Sequence, residues 1–302
     1  MTDIAIIGGG PAGLTAALYA ARAGKSVLLL ERESFGGQIV LSPMVDNFPA
    51  SPHISGADFA ARLYEQVDSF SVAMETEEVQ KIEKTADGFR LTTDFGTHEA
   101  KAVILATGVR HRSLGLPEEE DLVGAGISYC AVCDGAFYRD ADVAVVGGGD
   151  TALQDALFLS DFCRFVTLIH RRDTFRAEAA LVKKVLAKEN IRVLYSHTPE
   201  RFVTKDGALS GIVLNDLKAG EEREIAVRGV FLAVGQKPQN EAFADLLTLD
   251  EHGYLRSGED AQTNVPGIFA AGDCRTKTVR QLTTAVGDGA AAAMAACRYI
   301  ES

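Results

Sequence analysis

The chain has 302 residues, enough for two domains of ordinary size, and 47% of them are hydrophobic while 24% are charged. This composition supports a large buried core and excludes a disordered chain, and a net charge of −12 argues against nucleic acid or an anionic membrane as the main partner. No basic signal-peptide start, bilayer-spanning apolar run or disulfide framework is evident, so we expect a soluble, cytoplasmic protein.

The first predicted elements are a strand, a glycine turn, a helix that ends near Gly24 and a second strand. The strands cover residues 4–7 and 26–30, and Glu31 lies at the tip of the second. In this setting a G-x-G-x-x-G turn is typical of a dinucleotide site, because glycines let the backbone approach a pyrophosphate at a helix N-terminus. The carboxylate accepts hydrogen bonds from ribose hydroxyls, and the alternative is a glycine-rich turn with no ligand. The motif consists of Gly8, Gly10 and Gly13.

Residues 129–135 read "YCAVCDG", which places two cysteines, Cys130 and Cys133, at a spacing typical of a metal site or a redox pair. A structural zinc site usually needs four ligands, and the other three cysteines are isolated with no histidine near Cys130, so the spacing favours a redox pair. Asp134 follows directly and can pass a proton to a leaving thiolate, although a turn or N-cap aspartate is the plainer interpretation.

A second strand–turn–helix–strand begins in "VAVVGGGDTALQDAL" and repeats the first at a constant offset, with Gly147, Gly149 and Ala152 as G-x-G-x-x-A. Internal repetition predicts two dinucleotide-binding units. At the second strand's tip, basic residues replace the acidic Glu31, which favours a 2′-phosphate and hence NADPH over NADH. The alternative is a solvated basic turn. The basic residues are His170, Arg171, Arg172 and Arg176.

Three further strands end in a small residue and a glycine: "VILATG" at Gly108, "VFLAVG" at Gly235 and "IFAAGD" at Gly272. Each is typical of the closing strand of a nucleotide-binding unit. Proline-punctuated loops follow the first two, so we expect an α/β fold of two Rossmann-like domains, one inserted into the other. The predicted domains are 1–111 with 240–302 for FAD, and 112–239 for NADPH and the cysteine pair.

With these motifs in order, together with "GGQ", "DNFP" and "RQ", the chain resembles the low-molecular-weight, bacterial-type thioredoxin reductases of the flavoprotein disulfide reductases. The resemblance implies NADPH-dependent reduction of thioredoxin or a thioredoxin-like protein through FAD. It also implies a homodimer and rotation of the inserted domain between half-reactions. Cys133 would face the flavin, Cys130 would attack the substrate disulfide and Asp134 would act as the acid–base group.

The resemblance also assigns cofactor contacts residue by residue. FAD would contact Gly8, Gly10, Pro11, Ala12, Gly13, Glu31, Gly37, Gln38, Asn47, Ala106, Thr107, Gly108, Gly272, Asp273, Arg280 and Gln281. NADPH would contact Gly147, Gly149, Asp150, Thr151, Ala152, His170, Arg171, Arg172, Arg176 and Gly235. No metal site is expected.

Two positions depart from the family pattern: Ala50 stands where most members have glycine, and Ala136 stands where many carry a bulkier residue that helps to dock thioredoxin. The second departure leaves the partner's identity open. The alternative functions are a dithiol oxidase, a ferredoxin- or flavodoxin-dependent reductase, and a flavin-loaded redox sensor. The basic cluster disfavours the first two, and a sensor would leave the second nucleotide site unexplained.

Overall fold

The computed structural model describes all residues from Met1 to Ser302 and divides into two compact units. One unit is Met1–Arg110 together with Lys237–Ser302, and the other is His111–Gln236, which interrupts the first along the sequence. The sequence predicts 112–239 for the inserted segment, which starts one residue later and ends three residues later than these bounds.

The chain forms seventeen strands and six α-helices. The strands are β1 (Thr2–Ile7), β2 (Val27–Glu31), β3 (Ala73–Thr76), β4 (Val79–Lys84), β5 (Phe89–Thr93), β6 (Thr97–Leu105), β7 (Val109–His111), β8 (Ile127–Ser128), β9 (Asp142–Gly147), β10 (Phe165–His170), β11 (Ile191–Tyr195), β12 (His197–Lys205), β13 (Ala208–Asp216), β14 (Glu221–Ala226), β15 (Gly229–Ala233), β16 (Gln236–Pro238) and β17 (Ile268–Ala270). The helices are α1 (Pro11–Arg22), α2 (Gly56–Asp68), α3 (Ala131–Asp134), α4 (Asp150–Ser160), α5 (Ala179–Leu186) and α6 (Leu282–Glu301). Short 3-10 turns cover Gly37–Leu41, Gly135–Tyr138, Glu241–Phe243 and Gly272–Cys274.

The sheet of the first unit has the order β3-β2-β1-β6-β5-β4. Its first four strands are parallel, β4 and β5 are antiparallel, and β17 pairs in parallel with the end of β6. Alternate residues of β1 are buried on opposite faces: Ile4 and Ile6 pack with α1 and α6, whereas Ala5 and Ile7 pack with the residues around Phe243. Burial on both faces explains the nearly continuous apolar strands.

Helices α1 and α6 pack closely because their contact surfaces are made of small residues. A Cβ atom at Gly289 would lie 2.2 Å from the carbonyl oxygen of Ala12, so only glycine fits at this crossing. Ala16, Ala292 and Ala296 are fully buried in the same cluster. The glycine- and alanine-rich end of the chain thus brings α6 against the helix that follows the first glycine turn.

The inserted unit repeats this arrangement. Its parallel sheet has the order β11-β10-β9-β15-β8, so β11, β10, β9 and β15 correspond to β3, β2, β1 and β6. Strands β12, β13 and β14 form a separate antiparallel sheet. The repeat predicted two Rossmann-like units, and the shared strand order confirms that fold. No helix has the length and apolar character needed to cross a bilayer.

Candidate active site

The two cysteines of the "CAVC" motif form a disulfide at the start of α3, with their Cα atoms 5.3 Å apart. Cys130 precedes the helix, and its sulfur accepts a hydrogen bond from the backbone N–H of Cys133 at 3.2 Å. Helix α3 packs against α4, the helix that follows the second glycine turn. The fold therefore brings the cysteine pair and the second dinucleotide turn together within one unit.

Asp134 closes α3, and only one of its two carboxylate oxygens has a partner. Its Oδ2 accepts a hydrogen bond from the hydroxyl of Ser128 at 2.6 Å, while its Oδ1 is buried and has no hydrogen-bond partner. Burial raises the pKa of Asp134, and the Ser128 hydrogen bond opposes that shift. A carboxyl group in this state holds a proton more readily than an exposed aspartate does, which suits an acid–base group beside a disulfide.

The backbone that leads into Cys130 is fixed by residues for which the sequence analysis assigns no role. The hydroxyl of Tyr129 donates to Glu119, which is only 2% exposed and also accepts hydrogen bonds from three backbone N–H groups, beginning with that of Leu114. His111 stacks on Tyr129 with ring centroids 4.6 Å apart, and burial lowers the pKa of His111 to about 4. The contacts of Tyr129 with Glu119 and His111 join residues that are well separated along the chain, so no local sequence pattern predicts them.

The three other cysteines are free and buried: Cys163, Cys274 and Cys297. Burial raises the pKa of each thiol, for Cys163 to about 11, which keeps all three in the unreactive thiol form at neutral pH. No cluster of three or more metal-binding side chains is present. The arrangement therefore supports redox chemistry at Cys130 and Cys133.

In the first glycine turn, the outer glycines are required by packing and the central one is not. A Cβ atom at Gly8 would lie 2.3 Å from the carbonyl oxygen of Ala106, and one at Gly13 would lie 1.8 Å from that of Gly8. At Gly10 the nearest atom would be the Cα of Gly37 at 3.8 Å, an ordinary contact. The fold does not need glycine at position 10, whereas a pyrophosphate that approaches the uncapped start of α1 does.

Other predicted FAD contacts meet at the same end of the sheet. Glu31 is held at the tip of β2, where its carboxylate accepts hydrogen bonds from the backbone N–H groups of Gly9 and Glu33. A Cβ atom at Gly272 would lie 2.8 Å from that of Ala12, so the β17 end reaches the start of α1. Thr107 donates to Asn240, a buried residue that the sequence analysis does not single out.

Some of the residues expected near the flavin ring are hydrogen-bonded to one another. The amide of Asn47 donates to Gln281 at 3.2 Å, and Gln281 also caps α6. Arg280 lies over the ring of Tyr254 and donates to the carbonyl of Asp273. The amide of Gln38 donates to the carbonyl of Val109, at a distance along the chain that no local pattern predicts.

Asp273 sits beside a buried ion network that the sequence analysis does not identify. Its Oδ1 is buried without a hydrogen-bond partner and lies 3.7 Å from the Lys277 ammonium, and burial raises the pKa of Asp273 against the opposing effect of Lys277. Lys277 and Arg275 both bind Asp288, at 2.9 and 2.8 Å. An unpartnered buried oxygen at this position fits a ligand hydroxyl, such as those of a ribitol chain.

The second glycine turn shows the same division of roles. A Cβ atom at Gly147 would lie 2.5 Å from the carbonyl oxygen of Ala233, whereas one at Gly149 would meet no atom within 4 Å. Helix α4 starts at Gly149 without a side-chain cap, which leaves its first N–H groups available to an anion. Both turns therefore have a central glycine that packing within the protein does not require.

The three predicted arginines are exposed beside this turn, and none forms a salt bridge: Arg171, Arg172 and Arg176. The backbone N–H of Arg176 donates to the carbonyl of Gly148, which ties the cluster to the turn. His170 differs from the arginines because it is 5% exposed, packs against Gly148 and bonds to the carbonyl of Thr174. Burial lowers the pKa of His170 and favours its neutral ring, so the positive charge beside the turn is that of the arginines.

Comparison with known proteins identifies related chains. The family model for pyridine nucleotide-disulphide oxidoreductases matches residues 2–289. A thioredoxin reductase of Treponema pallidum is 43% identical over 302 residues, covering 99% of this chain and 97% of the relative. One of Streptomyces clavuligerus is also 43% identical and covers 99% of this chain and 94% of the relative.

Solved structures give the same result. The thioredoxin reductase of Streptococcus pyogenes, 42% identical, matches with a TM-score of 0.96 and covers 100% of this chain and 98% of its own. That of Lactococcus lactis, solved in a form described as the FR conformation, is 40% identical and matches with a TM-score of 0.68 over 100% and 99% of the two chains. The resemblance noted from the motifs is thereby confirmed.

Proposed function

Because the chain belongs to the pyridine nucleotide-disulphide oxidoreductase family, we propose that it reduces the disulfide of thioredoxin or a thioredoxin-like protein with electrons from NADPH. Thioredoxin reductases of this family use FAD and NADPH. The observation that carries the proposal is the grouping, in His111–Gln236, of the Cys130–Cys133 disulfide, the buried Asp134 carboxyl and an arginine-flanked dinucleotide turn.

FAD, when bound, supplies the two-electron link between NADPH and the Cys130–Cys133 disulfide. Breaking that S–S bond with an electron pair and one proton yields one thiol and one thiolate. Cys130 then attacks the partner's disulfide, forms a mixed disulfide and releases a partner thiolate, which takes up a proton. Cys133 attacks the Cys130 sulfur, which restores the disulfide and releases the reduced partner. Asp134 gives and takes the protons that these leaving thiolates need.

The proposed cofactor assignment follows the two turns. The unit Met1–Arg110 with Lys237–Ser302 holds FAD, with its pyrophosphate at Gly10 and its ribose at Glu31. The unit His111–Gln236 holds NADPH, with its pyrophosphate at Gly149 and its 2′-phosphate at the arginines. Support comes from the two central glycines, where a Cβ atom would meet no protein atom closer than 3.8 Å, and from three arginines without acidic partners.

The proposal includes rotation of the inserted unit between two half-reactions. Nicotinamide and disulfide both belong to this unit and must reach the same flavin in turn. The two chain crossings, at Arg110/His111 and Gln236/Lys237, are suitable hinges. The different TM-scores of two relatives with nearly equal identity, one of them in a named conformation, support this motion.

The proposed assembly is a homodimer in the cytoplasm. Large apolar side chains are exposed on the helices of the first unit, including Tyr19 at 44%, Tyr64 at 36% and Met294 at 43%. Association through these helices would cover them. Three free cysteines beside one redox disulfide suit a reducing compartment. Sedimentation equilibrium tests the assembly, and a monomer at micromolar concentration contradicts it.

The test of the proposed function is NADPH oxidation by the FAD-loaded protein in the presence of a bacterial thioredoxin. We expect turnover with NADPH and much weaker turnover with NADH. Substituting Cys130→Ser or Cys133→Ser should abolish thioredoxin reduction and leave bleaching of the flavin by NADPH intact. Cys163→Ser, a buried cysteine outside the pair, is the matched control.

The arginine cluster has its own control. The double substitution Arg171→Ala with Arg172→Ala is expected to raise the KM for NADPH at least about 100-fold, because each hydrogen bond to a phosphate contributes about 1.5–3 kcal/mol. The KM for NADH should stay unchanged. Equal losses with both coenzymes, or none with either, would refute the assignment of the 2′-phosphate site.

A further inference from the structure

We propose that Ser128 is a positioning residue for the acid–base group. Its hydroxyl holds Oδ2 of Asp134 by a hydrogen bond, which leaves Oδ1 to exchange the proton with a cysteine. This inference rests on the proposed function of the cysteine pair. Ser128 belongs to β8, is 3% exposed and carries no charge, so nothing in its local sequence marks it out.

The hydrogen-bond geometry around Ser128 fits both protonation states of the carboxyl group. Its oxygen accepts the backbone N–H of Cys130 at 3.0 Å, which leaves its own hydrogen free. That hydrogen can be donated to Asp134 Oδ2 at 2.6 Å or to the carbonyl oxygen of Cys130 at 3.3 Å. When Asp134 is ionised, the hydroxyl donates to the carboxylate oxygen Oδ2; when Oδ1 carries the proton, Oδ2 remains an acceptor and the hydroxyl can still donate to it or to the carbonyl.

The unused oxygen of Asp134 is the second observation. Oδ1 is buried without any hydrogen-bond partner. Buried polar atoms without a partner are rare in native structures, and a catalytic role is one of the reasons for them. With Oδ2 held by Ser128, Oδ1 is the atom that can give a proton to a cysteine thiolate and recover it from a thiol. The step transfers one proton and leaves a carboxylate, and the Ser128 hydroxyl stabilises that carboxylate.

Few groups influence the pKa of Asp134. Burial and the Ser128 hydrogen bond are the two influences on the pKa of Asp134, and no charged side chain contributes. Tyr138 is an ionisable neighbour, and its own pKa is raised by burial and by Asp134. Loss of the Ser128 hydroxyl removes the one interaction that favours the ionised carboxyl, so the titration of Asp134 must move to higher pH.

The experiment compares Ser128→Ala, Ser128→Thr and the control Ser160→Ala in the FAD-loaded protein. Ser160 is a comparably buried serine of the same unit whose hydroxyl donates to the carbonyl of Leu157 and not to Asp134. First, infrared difference spectroscopy follows the Asp134 carboxyl, identified by its loss in Asp134→Asn. We expect its transition at higher pH in Ser128→Ala, and unchanged in Ser160→Ala and nearly so in Ser128→Thr.

Second, stopped-flow mixing separates reduction of the flavin by NADPH from reduction of thioredoxin by the dithiol. Ser128→Ala should slow the thioredoxin step about tenfold, a share of the 10²–10⁴ that a positioned acid–base group contributes, without slowing flavin reduction. An unshifted carboxyl titration in Ser128→Ala, or an equal slowing in Ser160→Ala, overturns the inference. Absence of thioredoxin reduction by the unsubstituted protein would instead refute the proposed function, because the carboxyl titration requires no turnover.

Discussion

Replacing Gly149 with alanine is expected to abolish tight NADPH binding without weakening the fold. A Cβ atom at this position would meet no protein atom within 4 Å, and the backbone there, with φ −100° and ψ −178°, is open to any residue. The neighbouring Gly148 is the opposite case, since a Cβ atom there would lie 2.1 Å from the His170 ring. Substitution of Gly148 therefore tests packing within the protein, and substitution of Gly149 tests the approach of a ligand.

The expected magnitudes follow from these contacts. Gly149→Ala stiffens the unfolded chain, which stabilises the protein by about 0.4–1 kcal/mol, and a poorer N-cap costs a similar amount. The free energy of unfolding should therefore change by less than about 0.5 kcal/mol. The methyl group would hold a pyrophosphate away from the N–H groups of α4, and each lost hydrogen bond costs about 1.5–3 kcal/mol. NADPH binding should weaken about 10- to 100-fold.

The assays are anaerobic bleaching of the flavin by NADPH and unfolding by denaturant. Gly148→Ala forces a buried ring to move and should lower the free energy of unfolding by about 1–3 kcal/mol. Gly96→Ala, in the hairpin between β5 and β6, also adds a methyl group in open space and is the matched control. Tight NADPH binding by Gly149→Ala, or a stability loss as large as that of Gly148→Ala, would refute this account of the turn.

Three further predictions concern the first unit. Gly10→Ala should leave the apoprotein as stable as before but reduce FAD retention on gel filtration about tenfold or more, and normal retention would contradict the FAD assignment. Ala50 has a φ of 65°, so Ala50→Gly should raise the free energy of unfolding by about 0.5–1 kcal/mol, and a decrease in denaturant melts would show that the strain is absent. Asp288→Asn leaves Arg275 and Lys277 without their shared buried carboxylate and should cost about 3 kcal/mol, whereas unchanged stability would show that the network is dispensable.

The sequence predicts the repeated units well because their signals are local. The first strand and the glycine turn lie within a few residues of one another, and the structure extends the strand only to Thr2–Ile7. The predicted helix end near Gly24 agrees with the last helical residue, Arg22. Each of these features depends on backbone conformation at neighbouring positions, which residue type alone largely determines.

The residues that the sequence analysis does not identify act through contacts between distant segments. Asn240 bonds to Thr107 across 133 positions, and Ser128 reaches Asp134 only because the chain turns back at the cysteine pair. His170 shows the same limit, since its position in the basic cluster gives no sign that its ring is buried against Gly148. The sequence gives one sign of such a distant contact: a charged residue within an apolar run, such as Asp288 in α6, needs a partner of opposite charge.

The most direct test of the account is to trap the cysteines after anaerobic reduction. The FAD-loaded protein is mixed with NADPH, labelled with iodoacetamide while folded and digested for mass spectrometry. We predict labelling of Cys130 or Cys133 only when NADPH is present, with the buried Cys163, Cys274 and Cys297 unlabelled. A flavin that bleaches while the Cys130–Cys133 disulfide stays intact would contradict the proposed electron path.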